Sequence, residues 1–108
     1  MSAAMISKMP KKIKVGGFVY SVTKLDRRQA RAHNRWGETD TRTLKIEIDE
    51  DCPEPRRQEV LLHEVFHCIY DAWNIRSSDD EERTVEAAAL GLLTVLKDNP
   101  AFVRWLLK

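Results

Sequence analysis

Two of the three histidines in this 108-residue chain stand four apart, in His63-Glu64-Val65-Phe66-His67. On a helix, residues four apart lie one turn apart on the same face, so both imidazoles reach toward one point. Two converging imidazoles suit a tetrahedral zinc ion, and the pattern is the H-E-x-x-H signature of metal-assisted hydrolysis. Glu64 stands about 100° around the helix from His63, too far to be a third ligand of the pair. A carboxylate there can instead accept the proton of a metal-held water as it attacks a carbonyl. His63 and His67 are therefore the candidate metal ligands, and Glu64 the candidate catalytic base.

A hydrolytic zinc site needs a third protein ligand and one open position. Asp71 lies eight residues beyond His63, about 12 Å along the same axis, and is better placed to hydrogen-bond the His67 imidazole. Cys68 points about 100° away from His67, toward the apolar side, as a buried structural thiol does. Glu82, on the following helical segment, borders a stripe of Val85, Ala88, Ala89, Leu92 and Leu96, where a carboxylate can look inward at the first helix. Glu81 and Glu86 satisfy this geometry less completely, and His33 is a further candidate. For a developing oxyanion, Tyr70, His33 and Arg35 are conceivable partners, and the sequence does not choose among them.

The elements that must position these groups follow from periodicity. Lys12–Val15 and Phe18–Thr23 flank Gly16-Gly17, the mark of a two-residue hairpin. In Thr43–Asp49, Leu44, Ile46 and Ile48 alternate with Lys45 and Glu47, the period of a half-buried strand. From Arg56 to about Trp73 the period becomes helical. Leu61, Leu62, Val65, Phe66, Ile69, Ala72 and Trp73 form an apolar arc, and Val60, His63, Glu64, His67 and Asp71 lie opposite. Ser78 and Glu81 have capping-box spacing before a second helix to about Lys97, and Asn99-Pro100 precedes a short third one. Strands first and helices after argue for an α+β domain, with a small antiparallel sheet packed on helices. Residues 1–10 are expected to be disordered, and 11–108 to form one domain.

Composition narrows the function. Eighteen Lys and Arg balance seventeen Asp and Glu, so no global field draws the chain to nucleic acid or to a membrane surface. Basic residues do cluster early, at Lys8, Lys11, Lys12, Lys14, Arg27, Arg28, Arg31 and Arg35, and are expected to form a solvated face. A nucleic-acid module using them, with Trp36 for stacking, is the least favoured reading. Two cysteines, no secretory leader and no apolar run of membrane length point to a cytoplasmic protein.

His63-Glu64-x-x-His67, followed by Glu82-x-x-Val85-x-x-Ala88-Ala89-x-x-Leu92-Leu93 and by Lys97-Asp98-Asn99-Pro100, resembles the zincin-type metallopeptidases of the ImmA/IrrE kind. Short phage- and prophage-encoded members are the most similar. Gly37-x-x-Asp40 running into Leu44-x-Ile46-x-Ile48-Asp49 adds to the likeness, which spans roughly residues 12–107. Glu86 stands where that family commonly has asparagine. The resemblance implies a minimal zincin-like fold, Zn2+ as cofactor, Glu82 as third ligand, and a protein or peptide substrate. It also implies that the strand holding Leu44, Lys45 and Ile46 is the sheet edge beside the cleft, where an extended peptide could pair. The alternative from another class is a non-catalytic, zinc-stabilised protein-binding module, since a small chain gains much stability from a metal.

Overall fold

A computed structural model describes residues 8–26, 28, 36–76, 78 and 80–108. Among them are four strands, β1 (Lys12–Val15), β2 (Phe18–Leu25), β3 (Gly37–Asp40) and β4 (Lys45–Asp49). Three helices follow, α1 (Glu54–Ala72), α2 (Glu81–Asp98) and α3 (Pro100–Leu106). The domain is α+β, as the element order implies. No described helix is long and apolar enough to cross a membrane.

The Gly16-Gly17 hairpin forms as its spacing predicts, with Gly16 in the left-handed region at φ 61°. The rest of the sheet departs from expectation. Its order is β1-β2-β4-β3; β2 and β4 run parallel, while the other two pairs are antiparallel. The sheet is therefore mixed. The strand carrying Lys45 and Ile46 is not an edge but has a partner on each side, and Leu44 stands in the turn before it at φ 59°. The true edge beside α1 is β3, whose Gly-Glu-Thr-Asp sequence carries no apolar alternation to announce a strand.

One face of the sheet supplies Ile13, Val15, Tyr20, Val22, Ile46 and Ile48 to the core. From α1 come Leu61, Val65, Cys68 and Ile69, and Val95, Phe102 and Trp105 close the far side. Met9 also packs against this core, so ordered chain begins inside the stretch expected to be disordered; residues 1–7 lie outside the described ones. Helix α1 opens with Pro53 at its N-cap and Pro55 in its first turn, where a missing N–H costs nothing. Helix α2 is capped by Asp80, whose carboxylate accepts from Arg83 N at 2.8 Å, rather than by Ser78.

Asn99 does more than begin a helix. Its side chain accepts from Lys14 N at 2.9 Å and donates to Lys14 O and Val95 O, each at 2.8 Å. It thereby ties the end of α2 to the backbone of β1, satisfying groups a strand edge leaves open.

The α1–α2 contact depends on Gly91. A Cβ there would sit 2.5 Å from Ile69 Cγ2 and 3.2 Å from the Trp73 ring, and Ile69 is wholly buried. Gly91→Ala gains about 1 kcal/mol of helix propensity, but overpacking a filled core costs ~1–3 kcal/mol. We expect net destabilisation on the order of 1 kcal/mol, read as a lower urea midpoint at unchanged slope. A raised midpoint would show that the two helices part without cost.

Candidate metal centre

Glu59, His63, His67 and Asp71 follow one another at four-residue intervals along α1 and all face one cleft. The two imidazoles converge: His63 Nε2 and His67 Nε2 are 3.2 Å apart, with ring planes at 77°. Two nitrogens bound to one tetrahedral zinc at their usual bond lengths lie about 3.3 Å apart, so the separation is that of two ligands sharing one ion. An N–H···N hydrogen bond between neutral rings would also satisfy this approach. Both rings are exposed, however, so neither needs the other to replace lost water.

Glu64 differs from its neighbours on the polar arc, for only 6% of it is exposed. The cover comes from β3. Thr39 Oγ1 donates to Glu64 Oε1 at 2.6 Å, which fixes one carboxylate oxygen. Gly37 lies over the same helix face; a Cβ there would meet Val60 Cγ1 at 2.7 Å and Glu64 Oε2 at 3.2 Å. The missing side chain lets the strand lie close on α1, and the Gly37 position is where that closeness is needed.

Backbone pairing then orients the edge. Asp49 N donates to Trp36 O at 2.7 Å, which marks Trp36·Asp49 as a hydrogen-bonded pair. In an antiparallel ladder such pairs alternate, so Glu38·Glu47 and Asp40·Lys45 share this status. Gly37 and Thr39, opposite Ile48 and Ile46, turn their N–H and C=O groups away from β4. No described strand pairs with that side of β3.

Between β3 and α1 lies an open cleft of about 850 Å³. Among the described residues its wall holds both imidazoles, the carboxylates of Glu38, Glu59, Glu64 and Asp71, and the guanidinium of Arg56. On the other side of the imidazoles, Phe66 and Tyr70 flank a smaller recess of about 150 Å³. Cys68 is buried behind the site and its thiol is pushed up to about 12, chiefly by burial; burial likewise raises Tyr20, its neighbour across the core. Neither is poised to ionise.

Glu82 is not brought to the cleft. With Glu86, Ala89, Leu93 and Lys97 it occupies the side of α2 opposite Gly91 and Val95, and it is exposed. Glu81 and Glu86 are exposed too. Among the described residues no three His, Cys, Asp or Glu side chains converge as a complete metal-holding group. Of the expected ligands, the fold assembles His63 and His67, with Asp71 in the same cleft. His33 and Arg35 lie outside the described residues.

The sequence alone gives Thr39 and Arg56 no role, and it marks Trp36 only as a stacking candidate and Gly37 only through the family resemblance, not as parts of this cleft. A glycine just before a polar strand was the available signal for close approach, but nothing local says which helix that strand approaches. Comparison with family models, with curated proteins and with solved structures finds no match in any of the three.

Proposed function

We propose that this protein is a zinc-dependent hydrolase acting on peptides, with His63 and His67 as metal ligands and Glu64 as the proton-transferring group. The observation that carries this reading is the 3.2 Å approach of the two Nε2 atoms in a cleft shared with a buried carboxylate pinned by Thr39. A salt-bridging or merely solvated glutamate has no need of that arrangement.

Zinc, when bound, supplies Lewis acidity toward a carbonyl and an acidified water. The chain's own residues do the rest. Thr39 occupies Glu64 Oε1, leaving Oε2 to take a proton from the attacking water and later deliver it to the departing nitrogen. The outward N–H and C=O groups of Gly37 and Thr39 give an extended peptide a strand to pair with, so the substrate edge is assigned to β3 rather than to Leu44, Lys45 and Ile46. Glu82 stays in the reading as third ligand through the family resemblance alone, without a contact in its support. Two buried, unpaired cysteines accord with a reducing cytoplasm. The second reading is a zinc-stabilised binding module without catalysis, since a metal held by the same two imidazoles would add stability to a domain this small.

Metal uptake tests both. Chelator-stripped protein titrated with zinc should take up about one ion per chain and gain thermal stability. At a hundredfold excess over the dissociation constant the gain is about 2.7 kcal/mol. No uptake at micromolar zinc and no shift in melting would overturn the hydrolase and the zinc module together.

A further inference from the structure

Adjacent arginines at the start of α1 do different work. Arg57 is engaged inward: its Nε donates to Cys52 O at 2.6 Å and its guanidinium reaches Glu54 at 3.6 Å. Arg56 is exposed, lines the cleft, and enters no salt bridge among the described residues. Its guanidinium carbon lies 6.0 Å from the centre of the Trp36 ring, and Trp36 is itself 45% exposed just before the free edge of β3. A guanidinium resting on an aromatic face keeps its donor fork available at the rim, and it is held in place with little loss of hydration. Among the described residues that line the carboxylate-rich cleft, Arg56 is the one guanidinium, and it stands at one end with the Trp36 ring beside it.

The position along the cleft is set by two independent rulers. Arg56 precedes His63 and Glu64 by two helical turns, about 11–12 Å. On the strand, Trp36 precedes Thr39, the partner of Glu64, by three residues, about 10 Å. Both give three residues of extended chain between the reacting carbonyl and the Arg56–Trp36 pair.

We infer that Arg56 and Trp36 form a subsite for a carboxylate side chain, selecting peptides with Asp or Glu about three residues from the bond held at the imidazoles. The inference rests on the proposed peptide-binding cleft, but not on catalysis. A peptide running antiparallel to β3 places the acidic residue on the C-terminal side of that bond. Glu59, one turn from Arg56 toward the imidazoles, repels an acidic residue nearer the metal and sharpens the preference for the rim position.

The test uses blocked decapeptides randomised at every position. Zinc-loaded wild type reports cleavage products, and zinc-loaded Glu64→Gln reports bound peptides. Acidic residues should be enriched about tenfold at one position three residues from the cut. Arg56→Gln should erase that enrichment, and Arg56→Glu should replace it with Lys and Arg, both with unchanged circular dichroism. Cleavage without acidic enrichment, or enrichment that survives Arg56→Glu, overturns the subsite and leaves the hydrolase standing. Acid-dependent binding lost in Arg56→Glu, with no cleavage by wild type, supports the subsite and removes the hydrolase. No peptide binding by either protein overturns the subsite.

Discussion

Glu64→Gln is expected to slow hydrolysis by roughly 10²–10⁴-fold, the usual contribution of a general base, while zinc content and fold persist. The substitution suits the question because a glutamine carbonyl can still accept from Thr39 Oγ1, which now donates to Oε1 at 2.6 Å. It is isosteric beneath Gly37, where a Cβ would already stand 3.2 Å from Oε2, so the strand keeps its seat on α1. What disappears is the basic oxygen. Glu64→Ala is the less informative change. It leaves a void where an almost wholly buried side chain stood, and it leaves the Thr39 hydroxyl without its partner. The measurement is the rate constant for new termini at saturating substrate, with metal content determined on the same samples. Equal cleavage by wild type and Glu64→Gln would assign the activity to another group or a contaminant. Loss of zinc together with activity would make Glu64 a ligand or a support for the ligands.

The distance between sequence and structure here has physical causes. The H-E-x-x-H helix was legible because spacing within one helix fixes relative direction; nothing distant is needed to bring His63 and His67 together. The hairpin was legible because Gly16 must adopt φ 61° in a turn that short. The sheet order was not. Parallel pairing of β2 with β4 joins strands that are not consecutive in the chain, and β3, with Gly37, Glu38, Thr39 and Asp40, alternates nothing apolar. It is a strand because Gly37 fits against Val60 and Thr39 finds Glu64, both tertiary events. The buried face of α2 was equally hidden. Of the apolar stripe bordered by Glu82, Ala88 and Leu92 pack on the core while Val85 and Ala89 are exposed, and the fully buried residues are Gly91 and Val95, so the stripe marks the packed side only in part. A small residue that permits close approach decided the rotation, and hydrophobicity alone misdirected it.

That rotation makes ligand assignment the sharper question. His63→Ala removes one of two nitrogens 3.2 Å apart, and a lone imidazole loses the chelation that makes a preorganised pair bind. Outer supports of zinc sites already cost about 10–100-fold in affinity when removed, so a direct ligand should cost more than about 100-fold, measured by competition with a chelator of known strength. His67→Ala should match it, because both rings are exposed and line the same cleft. The carboxylates then separate two architectures. If the first turn of α2 supplies the third ligand, as the resemblance expects, Glu82→Gln falls with the histidine variants while Glu86→Gln and Asp71→Asn lose far less. If α1 holds the ion with its own row of side chains, Asp71→Asn falls and Glu82→Gln binds as wild type, since Glu82 faces solvent opposite Gly91. Full zinc affinity in His63→Ala would remove the metal centre from this cleft, and with it the hydrolase.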